Sequence, residues 1–248
     1  MERIGIYGGT FNPPHLGHKL AAAQAVKLLR LDKLLLIPDR IAPHKVLPEG
    51  SASPDQRMQM LQIAYAGIEK AEVSDIELRR EGTSFTYLTI LELKQQYPEA
   101  QLVLIMGTDM FLSFDKWRET GIITDNAALG VLYRGEKGER DAIDAKKAEM
   151  EAKGVKVELI ENEVTAISST DLRRMLIFGC AEPFLPEGVG AYIREKGLYG
   201  TGKNRKNLPF EELKAEFVKT EPTAVIIKIR IKQKLKLLLG KLARIKSK

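Results

Sequence analysis

The chain has 248 residues, 44% of them hydrophobic and 29% charged, which is enough apolar material for a large core. No apolar run approaches the roughly 18 residues a spanning helix needs, and the first nine residues lack the apolar segment of a signal peptide, so a cytoplasmic protein is expected. Cys180 is the only cysteine, which excludes an intrachain disulfide and a cysteine-based zinc site, while the net charge of +6 is concentrated in residues 201–248, which hold 14 Lys/Arg against 4 Asp/Glu.

In chain order, residues 3–7 read as a buried strand and 16–31 as a helix with Leu20, Ala23, Val26 and Leu29 among its apolar positions. Residues 33–38 form a second strand. A helix over 54–66 has Ser53 as N-cap and Pro54 in its first turn. Strands are expected at 73–78, 102–106, 127–133 and 155–160, and helices at 84–96, 142–153, 170–178 and 187–196. Strands alternating with helices predict an α/β fold: a doubly wound, Rossmann-like, mostly parallel sheet with helices on both faces. Ligands of such sheets lie outside the carboxyl ends of the strands. The domain expected is residues 1–200, followed by a basic C-terminal extension, 201–248.

The residues with chemical promise fall just after strands. The first strand runs into Gly8-Gly9-Thr10-Phe11-Asn12-Pro13-Pro14-His15-Leu16-Gly17-His18, which is neither a dinucleotide fingerprint nor a Walker A loop. Gly8 and Gly9 let backbone amides approach a ligand. His15 and His18 are one turn apart if a helix starts here, and two imidazole donors beside a helix N-terminus suit a polyphosphate. Ser168-Ser169-Thr170-Asp171-Leu172-Arg173 offers hydroxyls, amides and a guanidinium to the same kind of anion. Taken singly, each has a plainer reading: His15 and His18 as turn and capping residues, the Ser/Thr cluster and Asp109 as N-caps, Trp117 as core packing, Thr86 as helix surface.

The Gly8–His18 segment resembles the signature of the nucleotidyltransferase superfamily with the HxGH motif, and Ile167–Arg173 resembles its I-S-S-T-x-x-R element. Further stretches resemble the bacterial nicotinate-nucleotide adenylyltransferases: Ala42-Pro43-His44-Lys45, Arg80–Thr86, Gly107-Thr108-Asp109, Trp117, Arg134, Phe184-Leu185-Pro186 and Tyr192 through Tyr199. Departures are Ala42 and Thr83, Phe85 for tyrosine, and Gly135, where that family usually has proline at 42, 83 and 135. The resemblance spans residues 1–200.

That resemblance implies transfer of AMP from ATP to nicotinate mononucleotide, giving nicotinate adenine dinucleotide and pyrophosphate in NAD biosynthesis. It implies catalytic roles for His15 and His18. ATP would be bound by Gly8, Gly9, Thr10, Phe11, His15, His18, Gly107, Asp109, Ser169, Thr170 and Arg173. The nicotinate nucleotide would meet His44, Lys45, Thr86, Trp117 and Arg134, its carboxylate taken by backbone amides or Thr86. Mg²⁺ is expected to ride on the ATP phosphates, with no protein metal site. Alternatives with the same histidine loop are transfer to nicotinamide mononucleotide, phosphopantetheine, or glycerol- or choline-phosphate. A reading of another class is a non-catalytic nucleotide-binding regulator docked through its basic tail.

In the extension, 201–207 reads as a linker and 210–217 as a short helix. Residues 225–232 read as a strand with one basic face, and 235–245 as a basic amphipathic helix. Packing on the body or on a second subunit is the plain expectation, with a homo-oligomer left open. A membrane-surface contact is the second, and nucleic acid is disfavoured because no aromatic residue follows Phe217.

Overall fold

Leucine- and isoleucine-rich runs too short for helices form the strands of a computed structural model that describes residues 1–43, 46–133, 138–161, 168–177 and 179–202. The chain divides into Met1–Lys203 and Asn204–Lys248. Every element below belongs to the first unit; the helix and strand expectations for 210–245 lie outside the described residues.

The strands are β1 (Arg3–Gly9), β2 (Lys33–Pro38), β3 (Ala71–Val73), β4 (Gln101–Gly107), β5 (Ala127–Tyr133) and β6 (Val157–Glu161). They lie in the order β3-β2-β1-β4-β5-β6, and every neighbouring pair is parallel. The helices are α1 (Leu16–Leu28), α2 (Pro54–Tyr65), α3 (Ile76–Arg79), α4 (Thr86–Gln96), α5 (Thr108–Leu112), α6 (Thr120–Asn126), α7 (Glu139–Ala152), α8 (Ser169–Ile177) and α9 (Val189–Glu195).

Alternate strand residues feed two cores, because successive side chains point to opposite faces. Leu34, Leu36, Val103 and Ile105 meet Ala22 of α1, Leu61 of α2, Leu172 of α8 and Ile193 of α9. Leu35, Ile37, Leu102 and Leu104 meet Ile90 of α4, Phe111 of α5, Ile123 of α6 and Ile143 of α7. The expected doubly wound sheet is therefore the one observed. Close packing reaches the backbone at Gly5, where a Cβ would lie 2.4 Å from Leu31 Cδ1. Ser53 caps α2 as expected: its Oγ accepts from Gln56 N at 3.2 Å, and Gln56 Oε1 accepts from Ser53 N at 2.8 Å.

The third strand departs from expectation. It covers only Ala71–Val73, and residues 76–79 form a helical turn instead of continuing to 78. Ser74 N donates to Leu36 O, the chain then turns, and Leu78 N and Arg79 N both donate to Asp75 O. That turn buries Ile76 against the sheet and brings Glu77 within 2.7 Å of the Thr89 hydroxyl. Two short helices, α5 and α6, leave no periodic signal in the sequence because neither is long enough to display one.

The order places a topological switch between β1 and β4. From β1 the chain builds outward through β2 and β3, then returns across the sheet to β4, so the loops after β1 and β4 diverge and leave a crevice.

Candidate active site

The loop after β1 is bent sharply at Phe11, whose φ of +46° is unusual for an aromatic residue. Phe11 is nonetheless buried, its ring against Tyr7 at 5.7 Å and His18 at 5.1 Å, and a Cβ on Gly9 would come within 3.1 Å of it. A Cβ on Gly8 would meet nothing closer than Ile37 O at 4.0 Å. The loop then passes the cis Asn12–Pro13 bond into α1.

His15 is the N-cap of α1, and it makes a reciprocal capping box with His18. His18 N donates to His15 Nδ1 at 3.3 Å, and His15 N donates to His18 Nδ1 at 3.2 Å. The rings stack with centroids 3.6 Å apart. Because each Nδ1 accepts a backbone hydrogen, a neutral ring must carry its proton on Nε2. The capping and functional readings of the pair are thus compatible: Nδ1 serves the helix and leaves Nε2–H as the ring donor.

α8 is fastened to this loop. Ser169 Oγ donates to Pro13 O at 3.0 Å, and Arg173 Nη1 donates to Asn12 O at 2.7 Å. Arg173 Nη2 reaches Thr170 Oγ1 at 3.1 Å. Burial lowers the Arg173 pKa, yet a guanidinium keeps its charge. A cleft of about 510 Å³ opens beside the junction, lined by Ser51, Thr170, Arg173, Arg174 and Tyr199 among others.

Beyond the switch, the β1–β4 register (Tyr7 opposite Ile105) sets Gly107 beside the end of β1. A Cβ on Gly107 would meet nothing within 4 Å, so the strand end faces open space. Gly107 is the N-cap of α5, and Asp109, in its first turn, is exposed.

Thr86 opens α4, whose N-cap Phe85 provides no side-chain cap. The Arg118 guanidinium stands over the Phe85 ring at 5.0 Å, which carries Trp117 to the same end of α4 as Thr86. Trp117 is half-buried, tilted against Phe114 at 5.4 Å, so it packs on the core with one part and leaves another accessible. Its turn is tied to α7 by the Lys146–Asp115 ion pair. His44, Lys45, Arg134 and Ile167 lie outside the described residues.

Several residues, some inside the motifs and some outside them, shape this site through scaffold contacts. The Thr10 hydroxyl donates to Asp39 Oδ2 at 2.7 Å and so serves the scaffold rather than standing open to a ligand. Arg57, fully buried, donates to Thr10 O at 2.8 Å and to Asp39 Oδ1 at 3.1 Å. Arg40 N donates to Ser84 Oγ at 2.8 Å, connecting the end of β2 to the start of α4. Arg57 does leave a sequence signal: it shares the i, i+3, i+4, i+7 stripe with Met60, Leu61 and Ala64, where a charge is out of place.

Fold and site together define a nucleotidyltransferase, and residues 6–175 match the cytidylyltransferase-like family. A protein of Listeria monocytogenes (strain HCC23) named "Probable nicotinate-nucleotide adenylyltransferase" is 37% identical over 199 residues, covering 80% of this chain and 98% of its own. One of the same name from Geobacillus thermodenitrificans (strain NG80-2) is 36% identical over 201 residues, 81% of this chain and 87% of its own. The chain belongs to the nicotinate-nucleotide adenylyltransferase family. The fold is shared with Plasmodium falciparum nicotinic acid mononucleotide adenylyltransferase complexed with NaAD, at a TM-score of 0.68 and 20% identity over 82% of this chain and 99% of the other. Among the described residues, no helix is long and apolar enough to cross a membrane.

Proposed function

We propose that residues 1–200 form an enzyme that transfers AMP from ATP to nicotinate mononucleotide and releases pyrophosphate. The observation that carries this reading is the junction of α8 with the histidine loop, where Ser169 and Arg173 bond to Pro13 and Asn12 beside the N-terminus of α1. Two helix N-termini, two imidazoles and a guanidinium gathered near this junction suit a polyphosphate.

The 5′-phosphate oxygen of the acceptor attacks the α-phosphorus of ATP. A new P–O bond forms as the bond from the α-phosphorus to the bridging oxygen breaks, and pyrophosphate leaves with that electron pair. A phosphate monoester is already an anionic nucleophile, so no general base or covalent intermediate is required. What the protein supplies is position and charge neutralisation. His15 and His18 donate Nε2–H to the triphosphate and the leaving oxygen, while the amides after Gly8 and Gly9 and around Phe11 line the same anion. Thr10 contributes through its backbone, its hydroxyl being held by Asp39. Ser169, Thr170 and Arg173 take the β- and γ-phosphates, and Gly107 and Asp109 take the adenosine.

Thr86 and Trp117 receive the nicotinate ring and carboxylate, and the family resemblance assigns His44, Lys45 and Arg134 to the same substrate. No cluster of three or more His, Cys, Asp or Glu able to hold a metal occurs among the described residues. Mg²⁺ would supply charge neutralisation as an ion carried by the substrate, while His15, His18, Ser169, Thr170 and Arg173 would hold the phosphates it rides on. Residues 201–248 receive no catalytic part.

The test is pyrophosphate release with ATP and Mg²⁺, offering nicotinate mononucleotide, nicotinamide mononucleotide or 4′-phosphopantetheine. Preference for the first supports both reaction and pocket. Turnover confined to another acceptor would overturn the roles given to Thr86 and Trp117.

A further inference from the structure

We infer that Tyr199 is a positioning residue for this transfer: through Asn12 it fixes the loop that presents the histidine pair and receives Arg173. The inference rests on the reaction proposed above. Tyr199 lies 187 positions from Asn12, yet its hydroxyl donates to Asn12 Oδ1 at 2.7 Å in a buried contact. Asn12 is 2% exposed, and its side-chain amide nitrogen and its carbonyl are also committed. Its Nδ2 donates to Ser51 Oγ at 2.9 Å, and its carbonyl accepts from Arg173 Nη1 at 2.7 Å. Three separate segments thus grip one residue, and that residue stands between the bend at Phe11 and the cap at His15.

The turn carrying Tyr199 is built to aim the hydroxyl. Tyr199 itself holds a φ of +54°, with Gly197 at +61° and Gly200 at +75°, and Thr201 N closes the turn on Leu198 O at 3.0 Å. A left-handed tyrosine is strained relative to glycine or asparagine, so something must hold it there. Packing alone does not need the hydroxyl, since phenylalanine fills the same volume. Burial raises the phenol's pKa above its ordinary value, which keeps the oxygen protonated and able to donate. Asn12 has its side chain turned to the scaffold, so its influence on the chemistry runs through the backbone it fixes.

The experiment compares full-length wild type, Tyr199→Phe, Asn12→Ala and the double variant, with ATP and nicotinate mononucleotide varied separately. Loosening the loop should cost roughly tenfold or more in kcat/KM for ATP in Tyr199→Phe, because small displacements of aligned groups are expensive in rate. KM for nicotinate mononucleotide should stay at the wild-type value. The double variant should be no worse than Asn12→Ala, since the two act through one contact. Backbone amides of residues 10–18 should exchange hydrogen faster in Tyr199→Phe. Wild-type ATP kinetics in Tyr199→Phe would overturn the inference, as would equal losses for both substrates with additive single effects, the mark of general destabilisation.

If Tyr199→Phe does not fold, Ser51→Ala removes Asn12's other side-chain partner from a surface loop. It must reproduce the ATP-selective loss, and failure to do so overturns the inference. Exchange at 10–18 is read without turnover. An inactive wild type would therefore defeat the proposed reaction while exchange still judged the clamp: faster in Tyr199→Phe supports it, unchanged refutes it.

Discussion

Arg57 and Asp39 are joined twice, Nη1 to Oδ1 at 3.1 Å and Nη2 to the Asp39 carbonyl at 2.6 Å, with the Arg57 side chain wholly shielded from water. Thr10 completes the knot through its hydroxyl and carbonyl. Burial lowers the Arg57 pKa and the Asp39 carboxylate opposes that shift, so the pair is one electrostatic unit beneath the histidine loop.

Breaking that unit from one side leaves a charge without its partner. Arg57→Ala is expected to lose roughly 3–5 kcal/mol of folding stability, the range for opening a buried ion pair. The check is urea unfolding at neutral pH. A loss below about 1 kcal/mol, the scale of a surface pair, would show that the pair carries little of the fold.

His15 has two jobs that one substitution can separate. Asparagine is a strong N-cap and keeps an acceptor for His18 N, but it cannot supply the imidazole Nε2–H. His15→Asn should hold stability within about 0.5 kcal/mol while kcat falls by roughly 10²–10³, the usual cost of removing a donor to developing charge. Turnover near wild type would reduce His15 to a capping residue.

Gly107 offers the reverse separation. Its φ of −81° suits any residue, and a Cβ would meet nothing within 4 Å. Gly107→Ala should be neutral or stabilising by about 0.4–1 kcal/mol, yet raise KM for ATP if adenosine packs against this strand end. Unchanged KM would move the adenosine elsewhere.

Glu77 should leave a pH signature. It is buried, and burial raises its pKa above the ordinary 4.5, with the Thr89 hydrogen bond and Arg80 opposing. The folded protein holds this proton more tightly than the unfolded chain. Stability from Glu77 is therefore fully present below the unfolded value and is lost as pH rises through the folded one. Glu77→Gln cannot titrate, so wild type should lose stability relative to the variant between about pH 4 and about pH 7. Denaturation of both proteins at the two pH values checks this, and a constant difference would refute it.

How much of this was legible beforehand depends on the reach of each interaction. Five of the six strands and most helices declare themselves because their residues sit in apolar runs or stripes. The histidine loop and the Ser/Thr/Arg helix start are likewise local patterns, readable as anion sites before any contact is known. Asn12, Arg57 and Tyr199 were not legible as site residues, because their meaning lies in partners 18 to 187 positions away, although Arg57 does stand out as a charge in an apolar stripe. The strand expected to reach 78 failed for a related reason: Val73 and Ile76 are apolar in either geometry, and the choice was made by what α4 and β2 place beside them. Thr10 is the clearest case of a residue that belongs to the motif while its hydroxyl belongs to the scaffold.

The Asn12–Tyr199 bond also orders events in time. Within the nucleotidyltransferase unit the histidines are made long before the tyrosine that grips their loop, which lies close to that unit's end. Contacts this far apart in sequence form late, after the intervening chain has collapsed. A nascent chain halted between α1 and α9 carries both histidines but not the hydroxyl that sets their loop. The phosphate site is therefore expected to reach its final geometry only once the segment carrying Tyr199 has been made.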